Sequence, residues 1–216
     1  MPALVLKDVP TILSRFIEHW SATDTALAPK SLVLRGGYGV AQLTDDRATF
    51  EANQKSVTES ENTTETASQQ RRTLRKSLRE RIRQFRAALL SDFAETEFAS
   101  AAPTIPLQSA GDAAWSKALT DLADLWTRLN NADLEDFTAP LTLVGGYRVE
   151  QLIADTAALT AASHTLKEGE QASKNLRRTR DTHLKTVQAQ LVRYRKAVLN
   201  RFAEGHALLA SLPGLE

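Results

Sequence analysis

Two glycine-rich segments come closest in this chain to a pattern that could hold a ligand. Gly36-Gly37-Tyr38-Gly39 precedes a predicted helix, where free backbone amides could bind a phosphate. The second segment reads Gly145-Gly146-Tyr147-Arg148, and no lysine follows either segment at P-loop spacing. Paired glycines also permit positive φ angles and a sharp reversal of the chain. We therefore interpret the segments as structural turns, formed by Gly36, Gly37, Tyr38, Gly145, Gly146 and Tyr147.

The histidines and carboxylates lack the spacing of a catalytic or metal site. The four histidines are His19, His164, His183 and His206, and none has another histidine within five residues. No Glu-x-x-His pair is present, and Asp46 and Asp155 fall close to predicted helix starts, where the helix dipole favours a carboxylate. The chain has no cysteine, which excludes thiol catalysis and disulfides. The sequence therefore predicts a protein that is not an enzyme and that needs no cofactor and no metal.

An internal repeat is the most informative feature of the chain. The segment 32–95 aligns without a gap to 141–204 at a shift of 109 residues, with 22 identities in 64 pairs. Chance gives about one identity in fifteen pairs for an ordinary composition. Upstream, the same shift pairs Leu13 with Leu122 and Phe16 with Leu125. We predict a tandem duplication of two helical modules, 1–102 and 112–216, joined by a linker at 103–111.

Each module opens with a short amphipathic helix. In the first module it is predicted at about 9–23, with Asp8 as the cap, and in the second at about 112–130. Trp115 fits the apolar face of its helix poorly and is a candidate exposed contact residue. The segment Leu-x-Leu-x-Gly-Gly-Tyr follows, either as a short strand or as an extended stretch packed under the helices.

A long helix completes each module, at about 40–99 and 149–209. Apolar stripes at helical spacing support both helices, but they are interrupted by polar stretches at 56–70 and 165–175. Gly169 favours a hairpin turn there, whereas heptad spacing on both sides favours one continuous helix, which we prefer. The predicted fold is all-α, an elongated pseudo-twofold helical bundle or coiled coil.

The net charge of +1 conceals a strong segregation of charge. The segment 71–86 has eight basic residues and one acidic residue, and 171–201 has nine and one. The segment 87–170 has 13 acidic and four basic residues. On a helical wheel the basic residues of the first long helix lie beside its apolar stripe. The candidate interaction residues are Arg72, Arg75, Lys76, Arg79, Arg83 and Arg86, with Lys185 and Arg195 in the second helix.

Three interpretations of these basic faces stay open. Charge runs are usually solvated and pair with acidic residues of the same chain, here those of 87–170. Alternatively, basic and acidic regions of separate copies bind each other and form an oligomer or filament. The third interpretation is a site for nucleic acid or anionic lipid at 71–86 and 174–201, although such domains usually have a strong basic excess.

The leading prediction is a non-enzymatic structural or scaffolding protein that associates with itself or with another protein. The alternative is a nucleic-acid-binding protein that uses the same basic faces. No stretch is apolar enough to span a membrane. Lys7 and Asp8 interrupt the N-terminal apolar stretch, so no signal peptide is predicted and the default location is the cytoplasm.

Overall fold

The computed structural model describes residues 6–134 and 137–215, and this part of the chain is mostly helical with no strand longer than an isolated bridge. The prediction of an all-α protein is confirmed. The α-helices are α1 (Val9–Ala26), α2 (Val40–Asp92), α3 (Glu97–Ser100), α4 (Asp112–Asn130), α5 (Val149–Leu199) and α6 (Ala207–Ala210). Among the described residues, no helix is both long and apolar enough to cross a membrane.

The chain forms two compact units that do not follow the boundaries of the sequence modules. Unit 1 contains the described residues up to Ser60 and those from Gln171 onward, and unit 2 contains Glu61–Glu170. Each unit therefore combines the short helix, the Gly-Gly-Tyr turn and the first part of the long helix of one module with the last part of the other module's long helix. Neither module supplies a whole core by itself.

The core of unit 1 lies between α1 and the last part of α5. Along the apolar stripe of α1, Leu13, Phe16 and Trp20 are buried and Ile17 is half-buried, in agreement with their helical spacing. Tyr194 of α5 stacks on Trp20, with ring centroids 4.1 Å apart, and meets Phe16 edge-to-face at 6.1 Å. The other buried members of this core include Leu13, Leu32, Leu43, Phe50, Val187, Leu191 and Val198.

The core of unit 2 lies between α4 and the last part of α2. Phe85 packs against Trp126 with ring centroids 4.9 Å apart. The predicted stripe of α2 is buried at Leu78, Ile82, Phe85 and Leu89 and half-buried at its first member, Leu74. Trp115 is also buried, so the suggestion that it is an exposed contact residue is wrong. Its indole N–H donates to the Leu107 carbonyl at 3.2 Å, and the guanidinium of Arg75 lies 5.4 Å from the ring centroid.

Both polar stretches are helical, so α2 and α5 continue without a hairpin turn. In unit 2, a Cβ added to Gly169 would lie 2.5 Å from Thr64 Oγ1. In unit 1, the hydroxyls of Ser60 and Ser173 are hydrogen-bonded at 2.8 Å. Within each unit, small and hydroxyl side chains of α2 and α5 contact each other in these stretches. Gly169 therefore permits helix contact and does not mark a turn.

The paired helices of unit 1 run antiparallel. Gln54 accepts a hydrogen bond from Arg180 at 2.9 Å, and Ser60 pairs with Ser173, so residue numbers rise along α2 as they fall along α5. The sequence does not predict whether the modules pack parallel or antiparallel, because helical periodicity carries no information on helix direction.

The starts of the long helices agree with the prediction, and their ends do not. The side chain of Gln42 accepts a hydrogen bond from the Gly39 amide at 2.9 Å, and Gln151 accepts one from the Arg148 amide at 2.6 Å. These are the backward bonds of a capping box, and they explain why a helix begins directly after each turn. α2 ends at Asp92 and α5 at Leu199, seven and ten residues earlier than predicted.

The short helices α1 and α4 correspond to each other at a residue offset that differs from the offset of 109 in the sequence alignment. The indole N–H of Trp20 donates to the Leu32 carbonyl at 2.9 Å, and that of Trp126 donates to the Leu141 carbonyl at 3.3 Å. The two tryptophans are 106 residues apart, whereas Leu32 and Leu141 are 109 apart. Phe16 therefore corresponds to Leu122 in these contacts, and its pairing with Leu125 is wrong by three residues.

Candidate functional site

The two Gly-Gly-Tyr segments are tight turns closed by backbone hydrogen bonds. The Leu34 amide donates to the Tyr38 carbonyl, and the Leu143 amide to the Tyr147 carbonyl, each at 2.8 Å. All four glycines have φ between +76° and +91°, a region that favours glycine. The second glycine of each turn donates its amide to a leucine carbonyl at 3.1 Å. The amides that a phosphate site needs are therefore partly used within the turn.

Each tyrosine of these turns is tied to a carboxylate of the following helix. Tyr38 Oη donates to Asp46 at 2.5 Å, and Tyr147 Oη donates to Asp155 at 2.8 Å. The aspartates lie about two turns inside their helices, beyond the first turn where the helix dipole acts. Their recurrence is explained by the tyrosine contact, so the dipole explanation drawn from the sequence is wrong.

We expect no tyrosine of the folded protein to ionise near the ordinary pKa of 10.0. Burial raises the pKa of Tyr194 to about 12, and burial followed by the aspartate contact raises the pKa of Tyr38 and Tyr147 further. Because the folded-state values lie above the unfolded value, the stability from the neutral phenols is complete below pH 10. It is lost as the pH rises through the folded values.

Tyrosinate absorbance and far-ultraviolet circular dichroism, followed together against pH, check this expectation. Ionisation should coincide with the loss of helix, and the same chain in urea should titrate near pH 10. A phenol that ionises near pH 10 while the helices are intact would contradict the buried tyrosine contacts.

The basic face predicted on α2 lies wholly in unit 2, and its members differ in environment. Arg72, Lys76, Arg83 and Arg86 are exposed, Arg79 is half-buried, and Arg75 is buried. Arg75 donates to Asp112 at 2.7 Å and to the Gln108 carbonyl at 3.1 Å. Arg75 is therefore part of the internal structure of unit 2 and does not belong to an exposed interaction surface.

Most of the remaining cations of this face have no carboxylate partner in the part of the chain that the structure describes. Arg83 pairs with Glu80 at 3.5 Å within α2. Among the described residues, no carboxylate oxygen lies within 4.0 Å of the side-chain nitrogens of Arg72, Lys76, Arg79 or Arg86. Pairing with acidic residues of the same chain thus neutralises only part of the basic face. We call Arg72, Lys76, Arg79 and Arg86 the unpaired cations of α2.

A groove of about 760 Å³ lies beside these cations and the second Gly-Gly-Tyr turn. Lys76, Arg79 and Arg83 line one side, and Val144 and Gly145 of the turn line the other. Arg79 Nε is buried without a hydrogen-bond acceptor in the part of the chain that the structure describes. The groove therefore offers positive charge and an unused donor to an anionic group.

Arg81 links α2 to the turn that borders this groove. Its guanidinium donates to the Val144 carbonyl at 2.9 Å and lies 4.3 Å from the ring centroid of Tyr147. Arg81 is not a member of the predicted basic face, because on a helical wheel it points away from that arc. Its role depends on a turn 63 residues away in the chain.

The two candidate residues of α5 lie in unit 1 and do not resemble each other. Lys185 is exposed and has no ion pair among the described residues. Arg195 is half-buried and donates to the Pro213 carbonyl at 2.5 Å. Arg195 therefore holds the C-terminal segment against α5.

A polar cluster that the sequence did not indicate centres on Asp112 at the start of α4. Its carboxylate lies 2.7 Å from Arg75, 2.9 Å from Lys167 and 3.7 Å from Arg71, and it accepts a hydrogen bond from Ser163 at 3.2 Å. The Lys167 hydrogen bond, with support from Ser163 and Arg75, holds the pKa of this carboxyl below its ordinary value of 3.8. Three cations on one carboxylate leave this cluster with a net charge of +2.

The histidines do not converge, and each has its own partner. His19 is buried, and its two ring nitrogens lie 2.6 Å from Tyr194 Oη and 2.8 Å from the Leu208 carbonyl. His183 Nε2 lies 3.1 Å from Asp46, beside the Tyr38 contact. The others, His164 and His206, are exposed. No group of three or more candidate metal ligands occurs among the described residues.

Comparison with known proteins does not identify a family or a related structure for this chain. The chain matches no protein-family model, and no curated protein and no solved structure matches it.

Proposed function

We propose that this protein is a non-enzymatic scaffolding protein that associates with itself through the unpaired cations of α2. The observation that carries the proposal is that unit 2 exposes cations and carboxylates that form no ion pair among the described residues. Besides the unpaired cations, several exposed carboxylates of unit 2 have no ion pair among the described residues. They are Glu95, Glu97, Asp124, Asp133 and Glu150. A second copy can neutralise both sets at once.

The geometry of the basic face suits a protein surface. Arg72 and Arg86 are 14 residues apart, so the row of cations extends about 21 Å along α2 at 1.5 Å per residue. The groove beside it adds the half-buried Arg79 and the exposed turn residue Val144. A mixture of arginine and exposed apolar side chain is common at protein interfaces. The tandem duplication and the pseudo-twofold packing of the modules remain predictions from the sequence.

Light scattering after gel filtration tests the proposal. We expect larger species at low salt that dissociate in about 0.5–1 M salt, where screening lengths fall toward about 3 Å. The variant Arg72→Glu/Lys76→Glu/Arg86→Glu should remain monomeric at low salt. The matched control Lys174→Glu/Arg193→Glu/Lys196→Glu changes the net charge equally through exposed residues of unit 1 and should still associate.

Two results would contradict the proposal. One is a monomer at every salt and protein concentration, and the other is equal loss of association in both triple variants. In the second case the effect is due to net charge and not to the basic face of α2.

Nucleic-acid binding is the second candidate function, because the unpaired cations form a row along one helix. Phosphates could take the place of acidic side chains in this row. Binding of a DNA duplex would then fall steeply with salt, and the α2 triple variant would lower the slope of log affinity against log salt by about 3. Absence of nucleic acid from the purified protein, together with salt-sensitive association of the protein alone, favours the first proposal.

A further inference from the structure

A pocket of about 260 Å³ lies in unit 2 between α4 and the first part of α5. Its apolar lining is formed by Trp115, Leu119 and Leu159, which are each at most 5% exposed. An apolar cavity of about 150 Å³ holds benzene, so this pocket has space for a ring with a short chain. It is separate from the groove at the basic face of α2.

The rim of the pocket is polar and positively charged. Lys167 lines the rim and its ammonium lies 2.9 Å from Asp112, with both side chains accessible to solvent. Asp112 is shared among three cations, so Lys167 is not neutralised by a carboxylate of its own. The rim histidine, His164, already has Glu168 at 3.0 Å. The rim therefore favours a ligand that supplies one more negative charge.

The polar groups of this pocket are not part of the repeated framework. In the alignment of the long helices, Lys167 corresponds to Thr58 and Ser163 to Gln54. At the shift of the short helices, Asp112 corresponds to Leu6. A feature that the fold requires should occur in both modules, as the Gly-Gly-Tyr turn does. The Asp112–Ser163–Lys167 arrangement occurs only once.

We propose that this pocket binds a small amphipathic carboxylate. Its ring or branched alkyl group lies on Trp115, Leu119 and Leu159, and its carboxylate accepts hydrogen bonds from the Lys167 ammonium beside Asp112. The net charge of +2 at Asp112 makes a monocarboxylate complementary, and an amine is repelled by the same cations. The site is independent of self-association.

Nuclear magnetic resonance of the whole chain tests this site, with the indole N–H of Trp115 as the reporter. The probes are 4-phenylbutyrate, the uncharged 4-phenylbutan-1-ol and the cation 4-phenylbutylamine. We expect saturable shifts with the carboxylate at a Kd of about 1 mM or tighter, as befits a ligand of this size. The alcohol should bind about fivefold to tenfold more weakly, and the amine should not bind.

Three variants separate the proposed site from other sites. Lys167→Met should lower the affinity for 4-phenylbutyrate about fivefold to tenfold and leave the affinity for the alcohol unchanged. Lys174→Met, an exposed lysine two turns further along α5, should change neither. Thr160→Trp places a large side chain in the pocket at an exposed lining position and should abolish binding without disturbing the core.

Several outcomes would overturn the proposal. One is the absence of a Trp115 shift at about 10 mM probe, which is tenfold above the expected Kd. The others are equal affinity for the three probes and unchanged binding to the Thr160→Trp variant. Equal shifts with acetate would show a general anion site in place of an amphipathic one. None of these results depends on the oligomeric state.

Discussion

Replacing Tyr194 with alanine is expected to lower the free energy of unfolding by about 4 kcal/mol, as for other large aromatic side chains in closed cores. The ring is completely buried and stacks on Trp20. Its hydroxyl lies 2.6 Å from His19 Nδ1 and 3.0 Å from Thr23 Oγ1. Because the Leu208 carbonyl can only accept, His19 Nε2 donates to it, and Nδ1 is the ring nitrogen that faces the Tyr194 hydroxyl. Alanine therefore leaves both a cavity and an unpaired ring nitrogen.

Two further variants show how much of this loss of unfolding free energy comes from the Tyr194 hydroxyl and how much a substitution at an exposed position of the same helix costs. Tyr194→Phe keeps the ring and should cost about 1–2 kcal/mol for the buried His19 nitrogen alone. Leu199→Ala removes a leucine that is 56% exposed on the same helix and should change stability by less than about 0.5 kcal/mol. Urea unfolding followed by circular dichroism measures all three. If Tyr194→Ala cost no more than Leu199→Ala, the packing of α1 on α5 would be refuted.

Replacing Asp112 with alanine is expected to cost about 3 kcal/mol, because it leaves three cations without their shared carboxylate. The Arg75 side chain is only 8% exposed, so its charge cannot be solvated in place. Asp121→Ala, on the same helix, is the matched control. It breaks an exposed pair with Lys117 and should cost about 0.5 kcal/mol or less. The double variant Asp112→Ala/Arg75→Met should recover at least half of the loss, since the buried charge is removed as well.

The same carboxylate gives a pH dependence with a definite sign. The pKa of Asp112 is lower in the folded chain than its ordinary value of 3.8. Its contribution is therefore complete above about pH 4 and is lost as the pH falls through the folded pKa. Urea unfolding of the native chain and of Asp112→Ala should differ most near neutral pH and converge in acid. Parallel curves from pH 7 to pH 2 would show that Asp112 is not stabilised by its cations.

The local features of this protein were predictable from the sequence. The apolar stripe of α1, the range of α4 and the starts of α2 and α5 depend on side-chain periodicity and on residues within a few positions of each other. The positive φ angles of Gly36 and Gly145 have the same local origin. The helix ends at Asp92 and Leu199 were missed, because no glycine or proline marks them.

The sites, in contrast, depend on contacts that periodicity does not encode. A helical wheel places Arg75 with Arg72 and Lys76, yet only Arg75 meets Asp112, 37 residues further along the chain. The contact of His19 with Tyr194 joins two distant helices, and Trp115 is predicted as exposed because its neighbour Arg75 belongs to another helix.

The helical class, the two turns and the amphipathic faces follow from the sequence, because hydrogen bonds and rotamer sterics within about one helical turn suffice for these. Which faces meet depends on contacts between distant parts of the chain. Each unit combines parts of both modules, since each apolar stripe must be covered, and many pairings would satisfy the same periodicity. The close approach at Gly169 and the cluster at Asp112 exist only in the pairing that the chain adopts.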